Sequence, residues 1–163
     1  MTQQYDHFSF CRDVARKLIV PGYEDHEVTF LSATGGETYT SLDERLSTLT
    51  GPVLIAVDEN MMESQWTGPD GLSDSSRFLI LLILPVQGSD VSTTDVAVQT
   101  AARSLRQIRN LLLLSFGTRV HDIAIYPTGL VSDAFMGECL EFLMDSMEPF
   151  SVDSSFFRTD DEP

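Results

Sequence analysis

His7 and Cys11 stand four residues apart, a spacing that puts two side chains on one face of a helix. A thiol beside an imidazole is the minimum of a nucleophile–base pair, but no third residue is placed to orient the imidazole. A cysteine on an apolar helix face is more often a packing residue than an activated thiolate, and Cys139, set among apolar residues, reads the same way. Asp58 and Glu59 close an apolar run, with Glu63 and Trp66 a few residues on. Carboxylates at a strand end beside a long loop could serve general acid–base chemistry, and the indole could stack on a ligand. No second set of partners accompanies them, so solvated acids are the competing reading.

The remaining constellations are weaker. Glu24, Asp25, His26 and Glu27 form a polar run without metal-ligand spacing, and His121 beside Asp122 reads as a strand-edge pair. Gly35-Gly36 lacks the lysine of a phosphate loop, and no GxxxxGK[ST], GxGxxG or GxSxG occurs. The sequence therefore assigns no catalytic, cofactor-binding or metal-binding residue, and a non-enzymatic protein is expected.

Arg103, Arg106 and Arg109 recur every third residue as a ridge on one helix. They suit either contact with an acidic patch on a neighbouring subunit or pairing with nearby acids on a solvated face.

The elements that must position these residues follow from hydropathy. Tyr5–Ile19 reads as an amphipathic helix with Phe8, Cys11, Ala15, Leu18 and Ile19 on one stripe, stopped by Pro21-Gly22. Val28–Leu31 reads as a short strand, broken by the turn Thr34-Gly35-Gly36. Ser41–Leu49 reads as a short helix with Ser41 and Glu44 as a capping box. Val53–Val57 and Phe78–Leu84 are continuous apolar runs, hence buried strands, separated by a long polar loop from Asn60 to Ser76. After a turn at 87–90, Ser92 with Asp95 forms a second capping box for a long helix, Thr93–Leu114, whose core stripe is Ala97, Ala101, Leu105, Ile108 and Leu112. Val120–Tyr126, a turn at Pro127–Gly129 and Met136–Met147 complete the set. The fold class expected is α+β. A largely antiparallel sheet of about five strands is crossed by one long helix, beside an N-terminal helix and a short helix. Residues 1–150 form a single domain, and the acidic tail 151–163 is expected to fray.

Composition bounds the partners. The chain has 163 residues, 25 acids and 10 bases, for a net charge of −15. The excess runs the whole length, at 8 acids to 4 bases in residues 1–50, 7 to 1 in 51–100 and 10 to 5 in 101–163. Such a surface repels phosphate, which argues against nucleic-acid binding and against anionic membranes. No apolar run reaches the roughly 20 residues that a membrane helix needs. No signal peptide is visible, so cytoplasmic synthesis is expected.

Several of these patterns resemble small structural proteins of tailed bacteriophages and prophages, of the tail-terminator and neck (head–tail joining) group. Leu42–Leu49 followed by Gly51-Pro52, the apolar Val53–Val57 and Asp58-Glu59 is similar to their helix and strand entry. Phe78–Leu84 resembles the hairpin partner across a long loop. The helix with Ala101, Arg106, Ile108 and Arg109 resembles the crossing helix, and Leu130–Ser151, with Gly137 and the alternating Leu140-Glu141-Phe142, the closing hairpin. The resemblance implies a homo-oligomeric ring without catalysis or cofactor, commonly hexameric for terminators. Such a ring caps the tail tube, contacts tube or connector proteins, and resides in the virion. It also makes the segment 60–76 the natural element to reach a neighbour. The alternative is a small acidic binding or regulatory module for a basic protein partner.

Overall fold

A computed structural model describes residues 4–34, 39–68, 71–87, 90–147 and 154–156. The two continuous apolar runs lie side by side in the middle of one five-stranded sheet, where both of their faces can be covered. The strands are β1 (Thr29–Thr34), β2 (Val53–Gly68), β3 (Gly71–Pro85), β4 (Val120–Ser132) and β5 (Phe135–Asp145), in the order β1-β2-β3-β5-β4. Every pairing is antiparallel except β1 with β2. That parallel pair needs a crossover, which carries α2 (Tyr39–Leu46). The class is α+β, as the hydropathy predicts.

Alternation along the central strands sorts the core into two layers. Leu54, Ala56, Ile80, Leu82, Leu84, Leu140 and Phe142 point to one face, buried under α1 (His7–Lys17) and α3 (Val91–Phe116). Cys11, Val14 and Ala15 meet them from α1, and Ala97, Ala101, Leu105, Ile108 and Leu112 from α3. On the far face Val53, Ile55, Ile83 and Phe135 are buried with Leu46 of α2. Each fully buried Leu, Ile or Phe contributes about 1.5–3 kcal/mol, so these layers carry the stability of the domain.

Several boundaries differ from the sequence expectation, each for a local reason. The segment 60–76 is not a loop. β2 and β3 continue through it as a long hairpin, paired from Met62↔Ser76 to Gly68↔Gly71. A two-stranded ribbon open to water on both faces needs no apolar alternation, so hydropathy does not mark it. The capping box expected at Ser92 and Asp95 does not form. Asp90 caps α3, its carboxylate accepting from the Ser92 amide at 3.0 Å and the Ser92 hydroxyl at 2.7 Å. α2 begins at Tyr39, which places Ser41 inside the helix. α1 is shorter than expected, capped by Asp6 at 2.9 Å from the Ser9 amide and closed by an extended Leu18. α3 extends to Phe116 and ends at Gly117 (φ 59). β4 runs through the expected turn at Pro127–Gly129, absorbing it as a register shift with Gly129 at φ 71. β1 extends to Thr34, and β5 occupies Phe135–Asp145. The turn at Gly35-Gly36 and most of the tail from 151 lie outside the described residues; within the tail, Ser154–Phe156 form a single 3-10 turn. No helix among the described residues is long and apolar enough to cross a membrane.

Gly137 lies where another strand's backbone leaves no room for a side chain. A Cβ there would overlap the Leu82 carbonyl oxygen and lie 2.8 Å from its carbon and 2.9 Å from the Ile83 Cα, all backbone atoms that cannot swing aside. Gly129, its cross-strand neighbour, has open space around its Cβ position and only its positive φ to satisfy. Gly137→Ala is therefore expected to cost about 2–3 kcal/mol by overpacking, and Gly129→Ala about 1 kcal/mol through backbone strain. Urea unfolding of the two variants checks this, and equal losses would contradict it.

Candidate functional site

β2 and β3 outrun their neighbours. β1 pairs with β2 only as far as Asp58, and β5 pairs with β3 only from Ser75 onward. Beyond those points residues 59–68 and 71–74 form a free two-stranded arm. Its root carries a bulge, where the register shifts between Asp58 and Met62 and Asn60 takes φ 52. The Asp58 carboxylate stabilises that bulge by accepting from the Asn60 amide at 2.8 Å.

Cross-strand pairing sorts the arm's side chains. Met62, Ser64 and Trp66 pair with Ser76, Asp74 and Leu72, on the side continuous with the helix-covered face. Met61, Met62 and Trp66 are exposed by 50%, 62% and 72%. At the arm's root, Met62, Ser76 and Phe78 join Tyr5, Arg119, Met144 and Met147 around a concave notch of about 480 Å³.

Two polar braces hold the root from the far face. Arg77 donates to Glu63 at 2.7 Å and to Glu141 at 2.6 Å, and the Tyr126 hydroxyl donates to the other Glu141 oxygen at 2.7 Å. The hydrogen bond to Glu63, with both carboxylates close by, raises the Arg77 pKa further. The Tyr126 hydroxyl is raised by burial and by its bond to Glu141. In the second brace, Ser75 donates to Asp145 at 2.6 Å, while His121 meets Asp145 at 2.7 Å through Nε2 and Asp122 at 3.0 Å through Nδ1. Arg119 donates to the Asp145 carbonyl at 3.2 Å.

Serine, histidine and aspartate meeting in one brace invite comparison with a hydrolytic triad. The chemistry here runs the other way. The bonds to Asp145 and Asp122 raise the His121 pKa and engage both ring nitrogens, which leaves neither of them aimed at the Ser75 proton. The Ser75 hydroxyl already gives its proton to Asp145, sits 3.4 Å from Nε2 and is buried. The cluster is a charge-assisted clamp across β3, β4 and β5.

The expected residues separate rather than converge. Asp58 caps the bulge, whereas Glu63 is drawn to Arg77, whose charge Glu59 also favours, so these acids are divided between the bulge and the Arg77 brace. Among the described residues, no group of histidine, cysteine and acidic side chains is arranged to hold a metal ion. Glu24 accepts from the Gly22 amide at 3.0 Å, and His26 packs edge-on against Tyr23.

His7 and Cys11 do share a face, at 3.9 Å, inside the core. His7 is 4% exposed, takes a hydrogen bond from the Tyr5 hydroxyl at 2.7 Å on Nδ1, and donates from Nε2 to the Leu79 carbonyl at 3.0 Å. Its ring stacks on Phe78 at 4.5 Å. Burial lowers its pKa to about 4, and burial pushes the Cys11 thiol far up, so neither group is activated. Burial likewise pushes Cys139 up to about 11. Both cysteines are free thiols.

Arg103 and Arg106 stand exposed on α3, while Arg109 donates to the Asn110 side chain at 3.0 Å. Glu138, buried in the sheet beneath, has its pKa raised by desolvation, and Arg106 partly offsets this.

Sequence reasoning missed Arg77, Glu141, Tyr126, Ser75 and Asp145. One signal was present: Arg77 is the single base among residues 51–100. A lone base ahead of a buried strand in so acidic a stretch must pair with something. No protein-family model and no curated protein matches this chain.

The histidines give opposite pH dependences. With a folded pKa of about 4 against an unfolded 6.5, His7 leaves the unfolded state binding more protons, so stability falls as pH drops from 6.5 toward 4, by about 3 kcal/mol in all. The raised pKa of His121 contributes stability that is complete below 6.5 and lost as pH rises through its folded value. Urea unfolding across this range should show a slope that flattens in His7→Gln. An unchanged slope would contradict the assignment.

Proposed function

We propose that the chain is a non-enzymatic assembly subunit that acts by associating with copies of itself, of the tail-terminator or neck kind found in tailed bacteriophages and prophages. The observation that carries this reading is the arm. A two-stranded ribbon is marginally stable alone in water, and this one is braced at its root by two charged clusters while presenting Met61, Met62 and Trp66 to solvent. Exposed large apolar side chains on a held projection mark an interaction surface. The sequence resemblance supplies the setting, a ring at the end of a tail tube that meets tube and connector proteins. The acidic surface suits a channel through which DNA passes without adhering.

Light scattering over a range of protein concentrations tests the reading. The expected result is a closed species of several times 18.1 kDa, visible as rings by negative stain. A monomer at every concentration would contradict it and favour the acidic binding module. Arg77→Met, which removes the centre of one brace, is expected to speed amide hydrogen exchange along residues 59–68 without unfolding the core. Unchanged exchange there would show that the brace does not hold the arm.

A further inference from the structure

The two edges of the sheet are built differently. β4 is blunted: its ladder with β5 is broken by three register shifts, Asp122 and Gly129 stand at φ 50 and φ 71, and Pro127 has no amide to offer. Bulges and proline protect an edge against a further strand. β1 has no such protection. Its six residues, Thr29–Thr34, contain no proline, glycine or charge, and they pair with β2 in unbroken register.

That pairing fixes which backbone groups of β1 are turned outward. The Thr29 amide donates to the Pro52 carbonyl at 3.0 Å, so in a parallel ladder Thr29, Leu31 and Ala33 turn their amides and carbonyls toward β2. Those of Phe30, Ser32 and Thr34 point the other way, and among the described residues no strand lies on that side. The side chains of Ser32 and Thr34 are exposed.

Charge selects the occupant. In a chain of net charge −15, an uncharged edge is where a second copy approaches against the least repulsion. The two ends of β1 also differ in sign. The Arg12 guanidinium lies over the Phe30 ring, 5.3 Å from its centroid, whereas Thr34 pairs with Asp58. By alternation Phe30 and Thr34 share one face of the sheet, and Asp58 shares it with Leu54 and Ala56. An antiparallel second β1 therefore sets the Arg12 end of each copy against the Asp58 end of the other, on the same face and two strand spacings apart, about 10 Å.

We infer that β1 pairs antiparallel with β1 of a second copy about a two-fold axis at Ser32, with Ser32 opposite Ser32 and Phe30 opposite Thr34. This register engages all three outward residues and forms about six backbone hydrogen bonds, two for each facing pair. Two sheets of five strands become one, with a blunted β4 at each end. The contact is isologous and closes at two copies, so it supplies a two-fold unit and not the ring itself. It rests on the self-association proposed above but not on the arm, which lies beyond Asp58 and stays free of it.

Three variants of the full-length chain test it. Ser32→Pro removes an outward amide and no bond to β2, and Ser32→Lys sets two like charges at the axis. Each should lose the two-copy species by light scattering with unchanged circular dichroism, and either one suffices if the other fails to fold. Ser32→Cys puts an exposed thiol on the axis, Cys11 and Cys139 being buried, with the two Cα atoms about 5.5 Å apart and so within disulfide reach. Under mild oxidation it should become a covalent dimer of twice 18.1 kDa at concentrations where an exposed control, Ser115→Cys, stays single. Equal assembly of the wild type and the folded Pro and Lys variants, or no more cross-linking at 32 than at 115, overturns the edge pairing while self-association stands. A wild type that is monomeric at every concentration overturns both.

Discussion

β2 and β3 are apolar on both faces for only part of their length, and the rest of the structure is arranged around that limit. Where Val53–Val57 and Phe78–Leu84 run, the strands must be covered twice, by α1 and α3 on one side and by α2 on the other. Where the apolar run stops, so does the cover. β1 ends opposite Asp58 and β5 opposite Ser75, and the two strands leave the domain as a pair. The arm is thus the direct consequence of a change in hydropathy inside two continuous strands.

A ribbon leaving a sheet tends to splay unless its base is fixed, and the charged residues at the boundary perform that task. Arg77 joins Glu63 on the arm to Glu141 on β5, and His121 joins Asp122 to Asp145 across the β4–β5 pair. On the opposite face His7 ties α1 to the Leu79 carbonyl and stacks on Phe78. The histidine whose pKa is lowered belongs to the dry layer and the one whose pKa is raised to the wet edge. Their displaced pKa values report the same division of the sheet that the strands do.

The sequence made the sheet's centre and the long helix legible because their signals are local: continuous apolar runs, and a stripe from Ala97 to Leu112. The arm was hidden because Met61–Gly68 is polar and glycine-containing, which reads equally as loop or as a ribbon wet on both sides. Asp90, Ser92 and Asp95 are all capable of capping α3, and only backbone geometry selects Asp90. Gly137 stood out as a residue, but its reason, the approach of the Leu82 carbonyl, lies on another strand. The braces were least legible. Arg77 and Glu141 are 64 residues apart, and Ser75 and Asp145 are 70 apart. Nothing brings them together until strand order and register are known.

The charge distribution and the arm form one account. A strongly acidic chain meets other copies against charge repulsion, and its cations are concentrated on α3, where Arg103, Arg106 and Arg109 stand in a stretch without acids from Val96 to Phe116. The chain contains one tryptophan, Trp66, 72% exposed near the arm's end, so its own fluorescence reports directly on whether the arm is covered. The measurement to make is the Trp66 emission spectrum from high dilution to high concentration. Covering of the arm predicts emission typical of water contact at dilution and a blue shift as concentration rises. Emission that stays water-exposed at concentrations where the scattering mass has grown would show that copies meet elsewhere and contradict the arm as the contact.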